Sequence, residues 1–359
     1  MKGRGAAVNP PNRFERIEYV ADPEAPPGRP ETELLRDRSR SIIATNLSPD
    51  IGFDASINPY RGCAHGCAYC YARPTHEYLG FSAGLDFETR IVVKEDAPEL
   101  LAAELSRPRW RPQPLALSGV TDPYQPVERR LRITRRCLEV LAEFRNPVIV
   151  VTKNRLVARD ADLLADLAAA GAAAVFLSIP TIDASLSNAL EPRTSTPARR
   201  LQAMETLAAA GVPVGVLTAP VIPGLTDHEI PAILDAAGAA GASFAGYVML
   251  RLPLAVAPLF SDWLERHRPD RKGKVLSRIR QIRGGGRPDE GRLNDARFGS
   301  RMRGSGPFAD LVATMFASSC ARAGVADRAP ELDTGSFHVP DRYREGADQL
   351  TLWPGSPPR

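Results

Sequence analysis

Short apolar runs alternate with amphipathic segments through the middle of the chain. Near-continuous apolar runs rich in β-branched residues are typical of strands that are buried on both faces. Such runs occupy residues 53–57, 115–120, 148–152, 174–179, 214–218 and 247–252. Segments with helical spacing occupy residues 97–105, 128–144, 156–170, 196–210, 227–240 and 258–266. The alternation predicts six β-α units around a parallel sheet, either closed as a barrel or open and doubly wound.

The two flanks of this region lack the alternation. Residues 1–45 are rich in Pro, Arg and Glu, a composition that predicts a flexible, partly disordered N-terminal extension. Residues 266–359 are basic and Gly-rich, with one amphipathic helix predicted over residues 307–323. We therefore expect one α/β domain over residues 46–265, placed between an N-terminal and a C-terminal extension.

Charge and hydropathy narrow the range of partners. The chain of 359 residues carries a net charge of +4. It contains no apolar run of the roughly 18 residues that a membrane span needs, so we expect no membrane partner. Residues 266–303 hold 13 Lys and Arg against 4 Asp and Glu, a local net charge of +9. Such a segment can bind the phosphates of a nucleic acid or form a solvated face, and the sequence favours neither.

Three of the five cysteines lie in one short loop. Residues 58–71 contain Cys63, Cys67 and Cys70 at the spacing C-x3-C-x2-C, which predicts a metal site. A structural zinc site takes four protein ligands, so zinc would need His65 or His76 as the fourth. An iron–sulfur cluster takes one thiolate per iron and can leave one iron open. Free thiols and an oxygen-sensitive cluster suit a reducing compartment, so we expect the protein in the cytoplasm.

The cysteine loop resembles that of radical S-adenosylmethionine (radical SAM) enzymes, which carry an aromatic residue, here Tyr69, before the third cysteine. The blocks around it resemble the spore photoproduct lyase-like branch, namely SGVTDPYQPVE, TKN, LSIPT, LEPRTSTP and APVIPGLTD. The resemblance implies a partial (β/α)6 TIM-like barrel, a [4Fe–4S] cluster on Cys63, Cys67 and Cys70, and S-adenosylmethionine as cofactor. It also implies an external one-electron reductant and reductive cleavage of the cofactor to a 5′-deoxyadenosyl radical. The sequence does not identify the substrate on which that radical acts.

Polar residues that directly follow the predicted strands are candidates for the cofactor pocket, since function in a parallel barrel lies at the carboxyl ends of the strands. The resemblance implies that Lys153 and Ser178 lie near the cofactor, where a lysine can pair with the methionine carboxylate. Arg193 is a second candidate for that carboxylate. Tyr69 and Ile222 are candidates to flank the adenine.

The second predicted strand departs from the family pattern. The family's Gly-Gly-Glu, which receives the amino group of the cofactor, is replaced here by SGVTDPYQPVE. Asp122, Tyr124 and Glu128 in this block are compatible with facing a substrate or with capping the next helix.

The chain also lacks a residue that the repair lyases use. Spore photoproduct lyases donate a hydrogen atom from a fourth cysteine, shortly before the aspartate that Asp122 matches. This sequence has no cysteine between Cys70 and Cys137, and the hydroxyls of Ser118 and Thr121 are poor hydrogen-atom donors. We therefore expect a radical SAM enzyme that is not an efficient repair lyase, with nucleic acid still an open substrate class. The alternatives are a DNA repair lyase of the spore photoproduct type and a non-catalytic zinc or nucleic-acid binding module.

Overall fold

The computed structural model describes residues 3–15, 31–117, 119–284 and 291–344. Five parts of the predicted regions lie outside the described residues. They are residues 1–2 and 16–30 of the N-terminal extension, Ser118, a Gly-rich stretch (285–290) and the end of the C-terminal extension (345–359).

Ten strands form two sheets in the described part of the chain. They are β1 (Glu33–Arg36), β2 (Ile43–Thr45), β3 (Ala55–Ile57), β4 (Tyr60–Arg61), β5 (Arg90–Val93), β6 (Leu115–Leu117), β7 (Val148–Thr152), β8 (Ala173–Ser178), β9 (Val214–Val221) and β10 (Phe244–Met249). Strands β10, β9, β8, β7, β6 and β3 lie side by side in that order and pair in parallel, and β2 pairs with β3 in antiparallel orientation. A small second sheet contains β1, β5 and β4, with β5 in the middle.

Twelve α-helices and three 3-10 turns connect or cover these strands in the same residues. The helices are α1 (Leu85–Thr89), α2 (Ala97–Leu105), α3 (Glu128–Leu131), α4 (Ile133–Phe144), α5 (Ala161–Ala169), α6 (Ala184–Leu190), α7 (Pro197–Ala209), α8 (Ile230–Ala239), α9 (Val256–His267), α10 (Pro269–Ile282), α11 (Pro307–Ala323) and α12 (Asp341–Arg344). The 3-10 turns span Arg73–Leu79, Arg155–Asp160 and Asp227–Glu229. The main apolar core joins strands and helices, and includes the fully buried Val150, Val175, Leu138 and Leu207.

The order of the six parallel strands distinguishes a barrel from a doubly wound sheet. A doubly wound sheet reverses its strand order at a switch point. Here each parallel strand of the large sheet lies beside the one that follows it in the chain, from β3 and β6 to β10. The edge strands β2 and β10 do not pair with each other among the described residues, so the barrel is open. The predicted α/β fold with a partial (β/α)6 TIM-like barrel is confirmed.

One predicted helix is two helices in the structure. The segment 128–144 divides at Arg132, whose φ of 53° is left-handed. The carboxylate of Glu128 accepts a hydrogen bond from the Thr134 N–H at 3.0 Å, and so satisfies a free donor in the first turn of α4. The same carboxylate accepts the Tyr60 hydroxyl at 2.5 Å. Glu128, which the sequence left undecided, therefore holds the start of a helix and is fully buried.

The described helices of the predicted C-terminal extension, 266–359, pack on the barrel. Helix α10 buries Val275 in an apolar cluster that also contains Trp263 of α9. Helix α11 packs on α8 and buries Phe316 in the main core. The backbone of Ala326 then hydrogen-bonds the start of the edge strand β10. These helices therefore cover the barrel with their apolar faces.

Residues 3–15 also differ from the predicted lead-in, because they lie against the loop that carries the three cysteines. The N–H groups of Gly5 and Ala6 donate to the carboxylate of Glu88 at 3.1 and 2.8 Å. The side chain of Asn9 hydrogen-bonds α1 at 3.0 Å. We call residues 3–15 the N-terminal strap.

Gly5→Ala is expected to loosen the N-terminal strap. A Cβ at this position would lie 1.8 Å from the backbone carbonyl oxygen of Gly66, so the strap or the loop must shift. Overpacking of this kind costs about 1–3 kcal/mol, which thermal unfolding can measure. Gly273→Ala in α10 is the matched control, since its Cβ would meet nothing within 4 Å. Equal melting temperatures for wild type and Gly5→Ala would contradict the close packing of the strap.

Candidate cluster and cofactor site

The cysteine loop is fixed between α1 and α6. Cys63 and Cys67 are buried and Cys70 is half-buried. The N–H of Cys63 donates to the carbonyl of Phe87 in α1 at 2.8 Å, and the N–H of Ala68 donates to the last carbonyl of α6 at 2.9 Å. The three thiols are therefore held on a backbone that is anchored at more than one point.

A buried ion pair supports this loop. Arg73 is fully buried and donates from Nε and Nη2 to the carbonyl oxygen of Cys67 at 3.1 and 2.9 Å. Its Nη2 also lies 2.5 Å from the carboxylate of Glu88. A Cβ on Gly66 would lie 2.5 Å from that carboxylate, and the φ of Gly66 is 66°. Both conditions require glycine at this position of the motif.

The three thiols suit an iron–sulfur cluster better than a single ion. Among the described residues, no group of three or more His, Cys, Asp or Glu side chains is placed to hold one metal ion. A cluster does not need such convergence, because each cysteine bonds a different iron. Burial raises the pKa of the Cys67 thiol well above its usual value and that of Cys70 to about 11. Their thiolate forms therefore need the positive charge of a bound metal.

The two histidines near the loop make contacts elsewhere. One ring nitrogen of His65 lies 3.3 Å from the Asp122 carboxylate, and the other lies 3.2 Å from the side-chain amide of Asn154. Burial lowers the pKa of His65, but Asp122 and Cys63 outweigh burial and raise it to about 10. His76 packs against two phenylalanine rings, with centroids 5.2 and 5.6 Å away. The ring nitrogens of His65 are thus engaged in other contacts, whereas those of His76 are buried without a hydrogen-bond partner among the described residues.

Lys153 lies at the carboxyl ends of β7, β8 and β9, beside the cysteine loop. Its Nζ is 2.6 Å from Ser178 Oγ, 3.0 Å from the Ala219 carbonyl oxygen and 3.3 Å from the Glu191 carboxylate. Ser178 Oγ also donates to the Ala219 carbonyl at 2.9 Å. Nζ of Lys153 lies 5.8 Å from the ring centroid of Tyr69, two residues after Cys67, and the Tyr69 hydroxyl donates to Glu191. The structure brings the predicted residues Lys153 and Ser178 together next to the three cysteines.

Glu191 organises this group, and the sequence did not single it out. Its buried carboxylate accepts hydrogen bonds from the Tyr69 hydroxyl and the Arg200 guanidinium. Arg200 is fully buried and donates to the Ser178 carbonyl at 2.6 Å. Burial would raise the pKa of Glu191, but Arg200 and Lys153 outweigh burial and lower it to about 2. The pocket therefore contains an ionised carboxylate shared by two cations and a tyrosine.

Arg193 lies outside this group, and its predicted role beside the cofactor carboxylate stays a prediction. Its guanidinium lies 3.3 Å from Thr32 Oγ1 and next to Arg4 of the N-terminal strap. Glu191 and Arg193 both belong to the block LEPRTSTP. The sequence of a polar block does not show which of its side chains faces the pocket. In this block it is the side chain of Glu191.

Tyr69 and Ile222 are parts of one apolar cluster that also contains Cys67. Ile222 is fully buried. Leu250 and Leu252, which follow β10, belong to the same cluster. An apolar wall of this kind, next to the cysteine loop, has the chemistry to flank a purine ring.

Asp122 connects the cysteine loop to β7. Its carboxylate accepts hydrogen bonds from Thr152 Oγ1 at 2.7 Å and from the Lys153 N–H at 2.8 Å, and it lies 3.3 Å from His65. Burial would raise the pKa of this carboxyl, but His65 holds it below its usual range. Asp122 therefore positions the backbone that carries Lys153, an arrangement that the sequence left undecided.

The segment that replaces the family's Gly-Gly-Glu lies against the cysteine loop. The side-chain oxygen of Asn58 accepts hydrogen bonds from the N–H groups of Gly119 and Val120 at 3.1 and 2.9 Å. The hydroxyl of Tyr71, the residue after Cys70, donates to the Gly119 carbonyl at 2.7 Å. This segment therefore forms part of the rim of the same site.

An open parallel barrel with a three-thiol loop and a cationic pocket at its strand ends defines the class of protein. The model of the Radical SAM superfamily matches residues 57–237, half of the chain, and includes all three loop cysteines. The chain belongs to the radical SAM superfamily. Members of this family are enzymes that use a [4Fe–4S] cluster and S-adenosylmethionine. No helix in the described part of the chain combines the length and the apolar character that crossing a membrane requires.

Relatives and solved structures agree with this fold. An uncharacterized protein of Mycobacterium tuberculosis is 38% identical over 232 residues, which cover 64% of this chain and 67% of that protein. An uncharacterized protein of Methanocaldococcus jannaschii is 30% identical over 197 residues, which cover 55% of this chain and 71% of that protein. A spore photoproduct lyase complexed with dinucleoside spore photoproduct has a TM-score of 0.60 at 16% identity, covering 82% of this chain and 81% of that chain. At that identity, the likeness to the lyase concerns the fold alone.

Proposed function

We propose that Cys63, Cys67 and Cys70 hold the [4Fe–4S] cluster and that Lys153 and Ser178 bind the methionine part of S-adenosylmethionine beside it. The substrate is proposed to differ from the thymine dimer of spore DNA. The observation that supports this assignment most directly is the ammonium group of Lys153, which lies 2.6 Å from Ser178 Oγ and 5.8 Å from the ring centroid of Tyr69 in the cysteine loop.

The side chains of the pocket bind and orient the cofactor. A carboxylate brought beside Lys153 gains a charge-assisted hydrogen bond, and Asp122 holds the backbone of that lysine in place. Tyr69 and Ile222 supply an apolar wall that excludes water from a reactive radical. When bound beside these residues, the cluster would supply the electron for reductive cleavage of S-adenosylmethionine.

The two cysteines outside the loop support a substrate other than spore photoproduct. Cys137 in α4 is fully buried, and Cys320 in α11 is nearly so. Both belong to the apolar core between helices and strands, whereas Lys153 lies at the strand ends. Neither is in a position to replace the hydrogen-donating fourth cysteine of the repair lyases.

The basic stretch 266–303 supports a nucleic acid substrate less strongly than its net charge suggests. Several of its cations pair with carboxylates, as in Arg266–Asp262, Lys272–Glu265, Arg297–Asp295 and Arg301–Asp50. Arg283 is buried and donates to the backbone carbonyls of Met249 and Leu250. Nucleic acid stays a substrate class to be tested.

The proposal includes an external one-electron reductant and a cytoplasmic location. All five cysteines are free thiols. Free thiols and an oxygen-sensitive cluster persist in a reducing compartment. The family chemistry itself requires an electron from outside the cofactor.

The test is an anaerobic reaction of the reconstituted protein with dithionite and S-adenosylmethionine, with and without DNA that carries spore photoproduct. We expect 5′-deoxyadenosine in both reactions and no restored thymine. Catalytic restoration of thymine would contradict the proposed substrate. Absence of 5′-deoxyadenosine from a protein that holds its iron would contradict the proposed cofactor chemistry.

Lys153→Ala is expected to weaken S-adenosylmethionine binding and to leave the iron content unchanged. The loss of one charge-assisted hydrogen bond costs about 1.5–3 kcal/mol, or roughly tenfold to more than a hundredfold in affinity. Calorimetric titration of the reconstituted protein measures this change. Lys272→Ala is the matched control, because its ammonium group pairs with Glu265 at 2.8 Å in the helix layer and should not affect the affinity. Unchanged affinity in Lys153→Ala would place this lysine outside the pocket.

A further inference from the structure

A basic groove lies on the outer helix layer of the barrel. Two adjacent cavities of about 350 and 280 Å³ share Arg155 in their linings. The linings come from α3, the 3-10 turn after β7, and α7, and contain no Asp or Glu. We call this surface the basic groove, and its cations are Arg129, Arg155, Arg159 and Arg199.

Three of these guanidinium groups are not neutralised. Arg159 pairs with the carboxylate of Glu128 at 2.8 Å. Arg129, Arg155 and Arg199 are exposed, and the described residues contain no carboxylate paired with them. Uncompensated charges of one sign create a local field that attracts a partner of the opposite sign.

A hydrogen-bonded route connects the basic groove to the cysteine loop. The N–H of Arg155 donates to Ser195 Oγ at 2.9 Å, and Ser195 Oγ donates to the Asn154 side chain at 3.1 Å. The amide of Asn154 lies 3.2 Å from the ring of His65, which lies beside the Cys63 thiol. The groove therefore borders the part of the surface that is connected to one of the proposed cluster ligands.

We propose that the basic groove docks an acidic one-electron carrier protein that reduces the cluster, an inference that rests on the proposed function. One electron passes from the carrier to the cluster, so the carrier is oxidised by one electron and the cluster is reduced by one electron. No covalent bond or proton changes place. Complementary charge raises association rates by about 10- to 1000-fold, and redox complexes use small, transient interfaces.

The position and the lining of the groove favour a protein over a nucleic acid. The lining comes from two helices and the turn after β7, and neither Lys153 nor Ser178 is part of it. Nucleic acid strands bind on aromatic side chains that stack with bases, and the lining contains no aromatic residue.

The test compares wild type with a variant that combines Arg155→Glu and Arg199→Glu. The probe is flavodoxin, an acidic flavoprotein, whose binding is measured by fluorescence titration at low and high salt and whose electron transfer is measured by stopped-flow bleaching of the cluster. We expect binding and reduction at low salt to fall at least about tenfold, in keeping with electrostatic steering. Dithionite-driven formation of 5′-deoxyadenosine should stay unchanged. Arg328→Glu is the control, since Arg328 is exposed and follows the segment that pairs with the opposite, amino end of β10.

Each outcome decides between the proposals. Unchanged flavodoxin binding in the double variant, or an equal loss in Arg328→Glu, would overturn the docking site. Flavodoxin binding is measured on the purified chain and does not depend on formation of 5′-deoxyadenosine. If dithionite yields no 5′-deoxyadenosine, that result counts against the proposed function alone, and the binding data still test the docking site. A single-stranded oligonucleotide whose binding is lost in the double variant, while flavodoxin binding is kept, would assign the groove to nucleic acid and overturn the inference.

Discussion

Replacing Cys67 with alanine is expected to abolish iron binding, and the same holds for Cys63 and Cys70. Each cysteine would be the sole protein ligand of one iron, so the cluster cannot be completed by the other two. The loop backbone should persist in Cys67→Ala, because Arg73 contacts the carbonyl oxygen of residue 67 and not its side chain. The loss therefore reports the missing thiolate. Iron, sulfide and visible absorbance after anaerobic reconstitution measure it, with about four irons expected in wild type.

Cys137→Ala is the matched control, and Cys320→Ala is a second one. Both side chains are buried in the apolar core, where removal of one atom costs on the order of 1 kcal/mol. Iron content should equal that of wild type in both. Iron loss in Cys137→Ala comparable to that in Cys67→Ala would refute the ligand assignment.

Glu191→Gln is expected to destabilise the fold by about 3–5 kcal/mol, the usual cost of breaking a buried ion pair. The substitution leaves the guanidinium of Arg200, which is fully buried, without its carboxylate. Urea unfolding measures the change in the free energy of unfolding. Glu205→Gln on the exposed side of α7 is the control and should change it by less than about 0.5 kcal/mol.

The same ion pair gives the stability a pH dependence. The pKa of Glu191 falls from its ordinary value of 4.5 to about 2 in the folded chain. A carboxyl with a lowered pKa stabilises the fold above its unfolded pKa, and this contribution disappears as the pH falls from about 4.5 to 2. At 1.36 kcal/mol per pKa unit, the contribution is about 3 kcal/mol. The difference between wild type and Glu191→Gln should therefore shrink over that range, and a difference independent of pH would contradict the pairing.

Local pattern was enough to predict most of the barrel. The residues of β7, Val148–Thr152, and of α11, Pro307–Ala323, are those that periodicity predicts. Burial of a strand or of one helix face leaves a repeat in the sequence that neighbouring residues alone reveal. The sequence predicts one continuous helix over residues 128–144, but the structure divides it at Arg132. The carboxylate that caps the start of α4 comes from Glu128, and hydrophobic periodicity cannot reveal such a contact.

The sequence by itself determined the cysteine spacing, the alternation of strands and helices, and the polar residues Lys153 and Ser178 at the strand ends, since each is a local feature. Only the tertiary structure decided which side chains complete the site. The hydrogen bond between Tyr69 and Glu191 joins residues 122 positions apart, and the one between Gly5 and Glu88 joins residues 83 apart. Such pairs are long-range tertiary contacts, which form only when distant segments of the chain pack together. Local sequence patterns cannot predict them, because the two partners are far apart in the sequence.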